Sequence, residues 1–177
     1  LVARRTAEDQ FLGINAGKTI HNGLESLLKG NINYAEIILQ PYFSGTFNFF
    51  EFDEFIDREN NFSGNDLTGI PNMQLNLGVD LSWKNLQVFT NWSYVGEIPL
   101  NDANSLYADS YRLLNFKVAY QLDIKDLFEI QFNAGINNAL NEKYAASILP
   151  NAVGFGNSPA RFYYPGLPRN YFFGAQI

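Results

Sequence analysis

The densest group of chemically active side chains is a run of carboxylates in the stretch FEFDEFIDREN: Glu51, Asp53, Glu54, Asp57 and Glu59. Carboxylates at this density could attract a cation or a cationic substrate, because their fields add. The alternative is a solvated surface loop, since charge runs usually keep a loop in water. We therefore expect an exposed loop here.

A second set of oxygen-bearing side chains lies in the stretch NDANS. Asp102 and Asn104 offer scattered oxygen atoms of the kind that calcium prefers, but the glycine and the distal glutamate of a dedicated calcium loop are missing. No calcium site is predicted. Asp102 is kept as a candidate for a ligand-binding loop.

The sequence lacks the residues that most catalytic and metal sites need. It has no cysteine, which excludes disulfides, thiolate metal sites and cysteine nucleophiles. His21 is the single histidine, so a multi-histidine metal centre within this chain is excluded as well. No nucleophile elbow, P-loop or dinucleotide fingerprint occurs. We therefore assign no catalytic residue, metal ligand or cofactor and do not predict an enzyme.

Charge and hydropathy exclude two further classes. The formal net charge is -6 and the isoelectric point about 4.7, and no basic cluster is longer than Arg4 and Arg5, so nucleic acid is not an expected partner. No apolar run approaches the ~18 residues of a spanning helix. Spanning β-strands stay open, because alternation hides their hydrophobicity.

Strict alternation of apolar and polar side chains identifies the elements that must carry these residues. Residues 73–83 follow a period of two without an error, and residues 114–124 and 127–137 repeat it. The first of these segments places the following side chains on one face: Met73, Leu75, Leu77, Val79, Leu81 and Trp83. Residues 86–95 alternate more loosely, because Phe89 and Val95 interrupt the polar face. These segments predict β-strands.

The connections between strands alternate in length. Further strands are predicted at residues 15–29, 36–52 and 169–177, which gives about seven strands in all. Short turns are predicted at residues 29–33, 84–85 and 125–126, and long polar loops at residues 53–72, 97–110 and 141–168. Short turns thus fall at one end of the strands and long loops at the other.

This sorting favours an up-and-down barrel in an outer membrane, with tight periplasmic turns, long extracellular loops, an apolar face toward lipid and a polar face toward a wet lumen. Strands of about 9 to 11 residues suit a bilayer, whereas globular strands centre on about 5 to 6. Trp83, Trp92, Tyr94 and Tyr111 lie at strand ends, as interfacial aromatic belts do. A soluble β-barrel or sandwich that binds an apolar ligand or a glycan is the alternative.

Four stretches resemble the TonB-dependent outer-membrane receptors, in the order that the family shows. They are NAGKTIHNGLE (residues 15–25), GNDLTGIPN (64–72), INNALNEKYAASILPN (136–151) and the closing YYPGLPRNYFFGAQI (163–177). Together they extend over nearly the whole chain. The order of four motifs on predicted strands and loops is far more specific than any single motif.

The resemblance implies a fold, a function and partners. Residues 1–177 would form the C-terminal part of a barrel of about 22 strands, whose last strand pairs with the first, with the N-terminal plug domain absent from this chain. The implied function is TonB-driven uptake of a scarce nutrient, with a ferric siderophore expected and cobalamin, haem or glycans as other family options. The implied partners are outer-membrane lipid, the TonB complex acting through the plug, and the small-molecule substrate.

The resemblance also assigns roles in the closing stretch. Pro165, Gly166, Pro168 and Arg169 form a structural signature that sets the angle at which the chain enters its last strand. Ligand-loop candidates are Asp102, named above, and three residues late in the last long loop: Arg161, Tyr163 and Tyr164. Ile177 departs from the aromatic residue with which the family usually ends, so the native chain is expected to continue a few residues further.

Overall fold

The computed structural model describes residues 2–5, 11–14, 17–125 and 127–177. In these residues the secondary structure is β throughout. The strands in chain order are β1 (Val2–Arg5), β2 (Phe11–Ile14), β3 (Lys18–Lys29), β4 (Ile32–Tyr34), β5 (Ile37–Glu54), β6 (Ile56–Asp57), β7 (Asn60–Asn61), β8 (Met73–Trp83), β9 (Leu86–Val95), β10 (Ile98–Pro99), β11 (Tyr107–Ala108), β12 (Tyr111–Ile124), β13 (Phe128–Asn137), β14 (Ala145–Ile148), β15 (Tyr163–Pro165) and β16 (Asn170–Gln176).

No helix in the described residues is long or apolar enough to cross a membrane.

One large antiparallel sheet contains all the long strands. Its order is β3, β5, β8, β9, β12, β13 and β16, so each long strand pairs with the next one along the chain. This arrangement confirms the predicted up-and-down fold. Within the described residues the sheet is open, with β3 and β16 as its edges.

Most predicted strand boundaries lie within three residues of the observed ones. The predicted strand 73–83 coincides with β8 and 86–95 with β9, and β12 begins at Tyr111, three residues before the prediction. For the predicted strand 15–29, residues 15 and 16 lie outside the described residues, and β3 covers the rest from Lys18. The predicted turn at 125–126 falls between β12 and β13, although Asp126 itself lies outside the described residues.

The predicted short turn at residues 29–33 is wrong, because the strand continues through this region. Lys29 pairs with Tyr42 and Ile32 pairs with Leu39, so β3 and β4 face β5 in one unbroken register. Pro41 stands opposite the gap and has no N–H to donate, which interrupts the hydrogen-bond ladder without ending the strand. The chain turns instead just after β4, where Ala35 has a φ of 51°.

The registers align side chains into two continuous faces. Leu77 pairs with Phe43 on one side and with Trp92 on the other, and Trp92 in turn pairs with Leu114. Because side chains alternate along every strand, this alignment extends over the whole sheet. The apolar face carries, in its central strands, Phe43, Leu75, Leu77, Val79, Val88, Trp92, Phe116, Val118, Ile130 and Phe132. The polar face carries Ser44, Thr46, Asn76, Asp80, Asn91, Ser93, Asn115, Lys117, Gln131 and Asn133.

Aromatic rings on the polar face lie flat over glycines of the neighbouring strand. A Cβ added at Gly78 would stand 2.2 Å from the Tyr42 ring, and one added at Gly135 would stand 2.3 Å from the Phe172 ring. The Tyr42 hydroxyl also accepts a hydrogen bond of 3.0 Å from Asn91 Nδ2, which fixes the ring. Phe89, which interrupts the polar pattern in the sequence, lies beneath the Lys117 ammonium at 5.5 Å.

The short turns at one end of the sheet are joined sideways. Lys84 Nζ lies 3.0 Å from a Glu36 carboxylate oxygen, which connects two neighbouring turns. Asn85 exchanges hydrogen bonds with the backbone of Gln121, donating from Nδ2 to the Gln121 carbonyl and accepting at its own carbonyl from the Gln121 N–H, both at 2.9 Å. The turns at this end of the sheet are therefore short and are held together by side-chain contacts.

Three long loops leave the opposite end, as predicted from their lengths. Loop A is residues 55–72, loop B is residues 96–110 and loop C is residues 138–169. Each contains a small sheet of its own, formed by β6 with β7, β10 with β11, and β14 with β15 respectively. The long loops are therefore folded structures rather than irregular connections.

The two faces of the sheet predict unequal tolerance to charge. Leu77 lies mid-strand on the apolar face and is 46% exposed, while its neighbour Asn76 lies on the polar face. In lipid vesicles, Leu77→Arg is expected to lower the free energy of unfolding by about 2–4 kcal/mol, because the arginine must enter hydrocarbon. Asn76→Arg, the matched control, should cost far less. Denaturant unfolding of both variants measures the difference, and equal losses would contradict the assignment of the faces.

Candidate functional site

Loop A is anchored on the polar face of the sheet by a hydrophobic cluster. Phe52, on the polar face near the end of β5, packs with Phe55 and Leu67 of loop A, and all three are buried. Phe50, also on the polar face, packs against this cluster together with Phe62 and Ile70. These apolar side chains can be buried only if loop A folds inward over the polar face.

Loop B is anchored on the same face by a second cluster. Ile98, Leu100 and Ala108 are buried together, and Val95 of β9 packs against them. Val95 lies on the polar face, where its apolar side chain breaks the sequence pattern. Ile148 and Phe162 of loop C join the same cluster. The three loops are thus folded over one end of the polar face.

Asp102 lies at the junction of the three loops and is only 2% exposed. Its Oδ1 atom accepts hydrogen bonds from the Thr68 hydroxyl of loop A at 2.6 Å and from Asn151 Nδ2 of loop C at 2.9 Å. Its backbone carbonyl accepts from Asn65 Nδ2 at 2.7 Å, and its backbone N–H donates to Asn151 Oδ1 at 3.1 Å.

Asparagines at positive φ shape the turns of the loops. Asn104, Asn138, Asn141 and Asn151 have φ values of 50° to 55°, a conformation that asparagine tolerates better than most residues. Asn104 also joins two loops, since its Oδ1 accepts from the Asp66 N–H at 2.7 Å and its Nδ2 donates to the Asp66 carbonyl at 3.0 Å.

Asn138 organises the start of loop C and is 3% exposed. Its Oδ1 accepts from the Glu142 N–H at 2.8 Å, and its Nδ2 donates to the carbonyls of Glu142 at 2.9 Å and Leu167 at 3.1 Å. Its own N–H donates to Asn115 Oδ1 of β12 at 2.9 Å. One side chain therefore connects the beginning of loop C to its end.

Contacts with the first residues of loop C hold the predicted structural signature that precedes the last strand. Gly166 donates from its N–H to the Tyr144 carbonyl at 2.8 Å, and a Cβ at Gly166 would stand 2.1 Å from the Tyr144 ring. The N–H of Arg169 donates to Asn141 Oδ1 at 3.1 Å. Arg169 thus contacts the turn through its backbone, and a glycine is required at 166 because the tyrosine ring occupies the space of a side chain.

A cavity of about 210 Å³, cavity AB, lies between loops A and B. Its walls include Asn48 and Phe50 of the polar face, Asp66 of loop A, and Glu97 and Tyr107 of loop B. Partial burial raises the pKa of the Tyr107 phenol, and the nearby carboxylates of Asp66 and Glu97 raise it further. The phenol therefore stays protonated and can donate a hydrogen bond.

A larger cavity of about 450 Å³, cavity BC, lies between loops B and C. Tyr107 belongs to both cavities, and Tyr144 and Tyr163 add two more aromatic rings to this one. The Tyr144 ring lies 4.9 Å from that of Tyr111, which is on the polar face. The full lining is Tyr107, Ala108, Asp109, Asn141, Glu142, Lys143, Tyr144, Ala145, Tyr163, Pro165, Gly166 and Pro168.

The ligand-loop candidates from the sequence are dispersed by the structure. Tyr163 lines cavity BC, whereas Arg161 and Tyr164 are exposed and line neither of the two cavities. Asp102 is buried among the loops, where its visible contacts are to protein groups. Their contact with a ligand stays a prediction.

The acidic run at residues 51–59 is divided between the end of β5 and the start of loop A. Glu51, Asp53 and Glu54 are exposed, and Glu54 lies 3.3 Å from Lys18 Nζ. In the part of the chain that the structure describes, no group of three His, Cys, Asp or Glu side chains is placed to hold a metal ion.

Sequence reasoning missed the residues that organise the loops and line the cavities, namely Thr68, Tyr107, Asn138, Tyr144 and Asn151. The asparagines carried a usable signal, because an asparagine in a Gly-rich and Asn-rich loop is a candidate for positive φ. Thr68 and Tyr107 carried none, because their partners lie tens of residues away in the chain.

An open antiparallel sheet with an apolar face, a polar face, short turns at one end and folded loops at the other is the wall of an up-and-down membrane β-barrel.

The comparisons with known proteins agree with this class. The family model described as "TonB dependent receptor-like, beta-barrel" matches residues 2–139, and the chain belongs to that family. Members of the family are outer-membrane proteins of Gram-negative bacteria, which confirms the predicted location. The family consists of transporters rather than enzymes, in agreement with the expectation from the sequence. A comparison with curated protein sequences finds no match.

Solved structures of similar fold cover nearly the whole chain. BauA, the ferric preacinetobactin receptor from Acinetobacter baumannii, aligns with a TM-score of 0.67 at 19% identity over 97% of this chain and 24% of that chain. Fiu, the ferric-catecholate import receptor of E. coli K12, gives 0.67 at 18% over 98% and 22%. PiuA, a siderophore receptor from A. baumannii, gives 0.65 at 16% over 98% and 23%. The chain thus spans less than a quarter of the length of these proteins.

The Asn138 contacts generate a prediction for the closing segment. Asn138→Ala removes three side-chain hydrogen bonds and leaves the carbonyls of Glu142 and Leu167 without this donor, so a loss of about 2 kcal/mol or more is expected. Limited proteolysis of the native protein should cut loop C faster in this variant. Asn157→Ala, at an exposed position of the same loop, is the control. Unchanged cleavage in Asn138→Ala would refute the role of this side chain.

Proposed function

We propose that this chain forms part of the wall and outer loops of a receptor that imports a scarce nutrient across the outer membrane. In this proposal the nutrient is a ferric siderophore, and TonB drives the uptake. No bond of the nutrient is made or broken. The chain contributes a lipid-facing wall, a polar inner face and three folded loops.

The observation that carries the proposal is the anchoring of the loops on the polar face. Phe50, Phe52 and Val95 are apolar side chains on that face, and each packs into a cluster of loop residues. Loops that only shielded the barrel rim would have no need of such anchors. Loops held over the inner face stand above the entrance to the lumen, where a ligand has to be captured before it is transported.

The chemistry of the cavities supports a ring-bearing ligand. Cavity BC is lined by Tyr107, Tyr144 and Tyr163, and tyrosine combines a large flat apolar surface with a hydroxyl donor. Its volume of about 450 Å³ is within the range of small-molecule pockets, roughly 300–1,000 Å³. A planar group can stack there while polar atoms bind to Asn141 or Lys143.

The choice of nutrient is supported by the similar structures, which include receptors for ferric preacinetobactin and for ferric catecholates and a siderophore receptor. Identity is below 20% in each case, so the likeness concerns the fold, and the experiment therefore compares several nutrients.

The proposal places the TonB contact outside this chain. A plug domain that precedes the barrel would fill the lumen, bind the ligand from below and carry the segment that TonB pulls. The polar face suits a plug domain, because its Ser, Asn, Gln and Lys side chains can form hydrogen bonds with a hydrated protein surface. The barrel would be completed to about 22 strands by the rest of the protein.

Uptake measurements on a strain that lacks the gene test the proposal. Complemented cells should take up an iron-55-labelled ferric catecholate, and uptake should stop when TonB is deleted. Tyr163→Ala is expected to raise the concentration for half-maximal uptake about fivefold, because one stacking surface of about 1 kcal/mol is lost. Maximal uptake and the amount of protein in the outer membrane should not change.

Phe155→Ala is the matched control, since Phe155 is an exposed aromatic residue of the same loop that lines neither cavity. Labelled ferric hydroxamate, cobalamin and an oligosaccharide provide the alternative nutrients. Uptake of one of these in place of the catecholate would correct the nutrient and keep the transport function. No TonB-dependent uptake of any of them would contradict the proposal.

A further inference from the structure

Asp102 is unusual among the described carboxylates because it is buried rather than solvated, with 2% of its surface exposed. Burial of a carboxylate is costly unless hydrogen-bond donors replace water. Here the donors come from two other loops, since Thr68 belongs to loop A and Asn151 to loop C. The bond from the Thr68 hydroxyl is short, at 2.6 Å.

The backbone of Asp102 repeats the connections that its side chain makes. Its carbonyl oxygen accepts from Asn65 of loop A, and its N–H donates to Asn151 of loop C. Each neighbouring loop is therefore bound at two points by the same residue. Chain separations of 34 to 49 residues between the partners mean that none of these bonds is a local turn contact.

Nearby backbone contacts place the same three loops in one arrangement. Gly69 donates from its N–H to the Pro99 carbonyl at 2.9 Å, which joins loops A and B. Asn151 donates from its N–H to the Leu100 carbonyl at 2.8 Å, which joins loops B and C. Loops A and C are both bound to loop B at its Pro99–Asp102 corner, and Gly69 of loop A also lies beside Pro150 of loop C.

The two cavities have their walls on different loops. Cavity AB lies between loops A and B, and cavity BC lies between loops B and C, with Tyr107 of loop B common to both. A sliding movement between loops would change the shape of both cavities. Their shapes therefore depend on the contacts that hold the loops together.

We propose that Asp102 is a positioning residue that locks loops A, B and C into one unit and thereby fixes cavities AB and BC. Its carboxylate is the common acceptor for loops A and C, so a change at either end reaches the other through this atom. Thr68 and Asn151 each donate a side-chain hydrogen bond to its Oδ1 atom. The coupling between loops is independent of the transported nutrient, whereas its effect on ligand capture rests on the proposed function.

The test measures the distance between loops A and C, neither of which contains Asp102. Spin labels on cysteines introduced at Glu59 and Asn157 report this distance in the native protein in outer-membrane vesicles, and the chain has no cysteine of its own. Both positions are exposed. The unchanged protein should give one narrow distance distribution. A role of Asp102 confined to loop B would not alter this A–C distance.

Two substitutions should break the lock and two should not. Thr68→Val keeps the shape of threonine but removes the hydroxyl donor, and Asp102→Ala removes the acceptor, so both should broaden the distribution. Thr68→Ser retains the donor and should restore the narrow distribution. Asp109→Asn changes an exposed carboxylate of the same loop and should leave the distance between loops A and C unchanged.

Hydrogen exchange gives the size of the effect. Backbone amides in loops A and C should exchange about fivefold or more faster in Thr68→Val, because the locked state loses a strong hydrogen bond, while amides of β8 and β12 keep their protection. Narrow distances and unchanged exchange in Thr68→Val would overturn the proposal, and so would equal broadening in Asp109→Asn. If Asp102→Ala fails to reach the outer membrane, the Thr68→Val and Thr68→Ser pair still decides. If the distances show that loops A and C are held together through Asp102 but no uptake is found, only the proposed function is contradicted.

Discussion

Everything in this chain depends on one constraint, which is that a strand in hydrocarbon must pair every backbone N–H and C=O group with a neighbouring strand. The long registers between β3, β5, β8, β9, β12, β13 and β16 satisfy that constraint inside the sheet. They also determine the two faces, because a shift of one residue would exchange lipid-facing and lumen-facing side chains along a whole strand. In the part of the chain that the structure describes, the sheet ends at β3 and β16, and the outer backbone groups of such edge strands need further strands to pair with.

The two ends of the sheet differ because one end only connects adjacent strands, whereas the other end carries the folded loops. At the short-turn end, Lys84 with Glu36 and Asn85 with Gln121 join adjacent turns at little cost in chain length. At the other end β5 continues to Glu54, and its 18 residues exceed the roughly 9–11 needed to cross the membrane. The additional length carries Phe50 and Phe52 to the point where loop A can pack on the polar face. Strand extension and loop anchoring are thus parts of one arrangement.

The sequence pattern was sufficient for the long strands and insufficient for the loops. Alternation predicted β8 and β9 to the residue, because each such strand has one lipid face and one wet face. It misplaced the turn at 29–33, since Gly30 and Asn31 resemble a turn while Pro41, which stands opposite Gly30 on β5, is eleven residues away from it. The short strands in the loops have two to four residues, too few to show a period. Val95 looked like an error of the pattern and proved to be a loop anchor, so an exception to the alternation was itself informative.

The contacts of Asp102 could not be inferred from sequence, because they join residues 34 to 49 positions apart and depend on how three loops fold together. The central claim is that these loops fold over the outer mouth of the barrel, and labelling of intact cells tests it most directly. Cysteines introduced one at a time at Asn157 of loop C and at Lys84 of a short turn would be exposed to a membrane-impermeant maleimide. The account predicts labelling at Asn157 on intact cells and at Lys84 only after the outer membrane is opened. Labelling of Lys84 on intact cells, with Asn157 protected, would reverse the orientation and contradict the account.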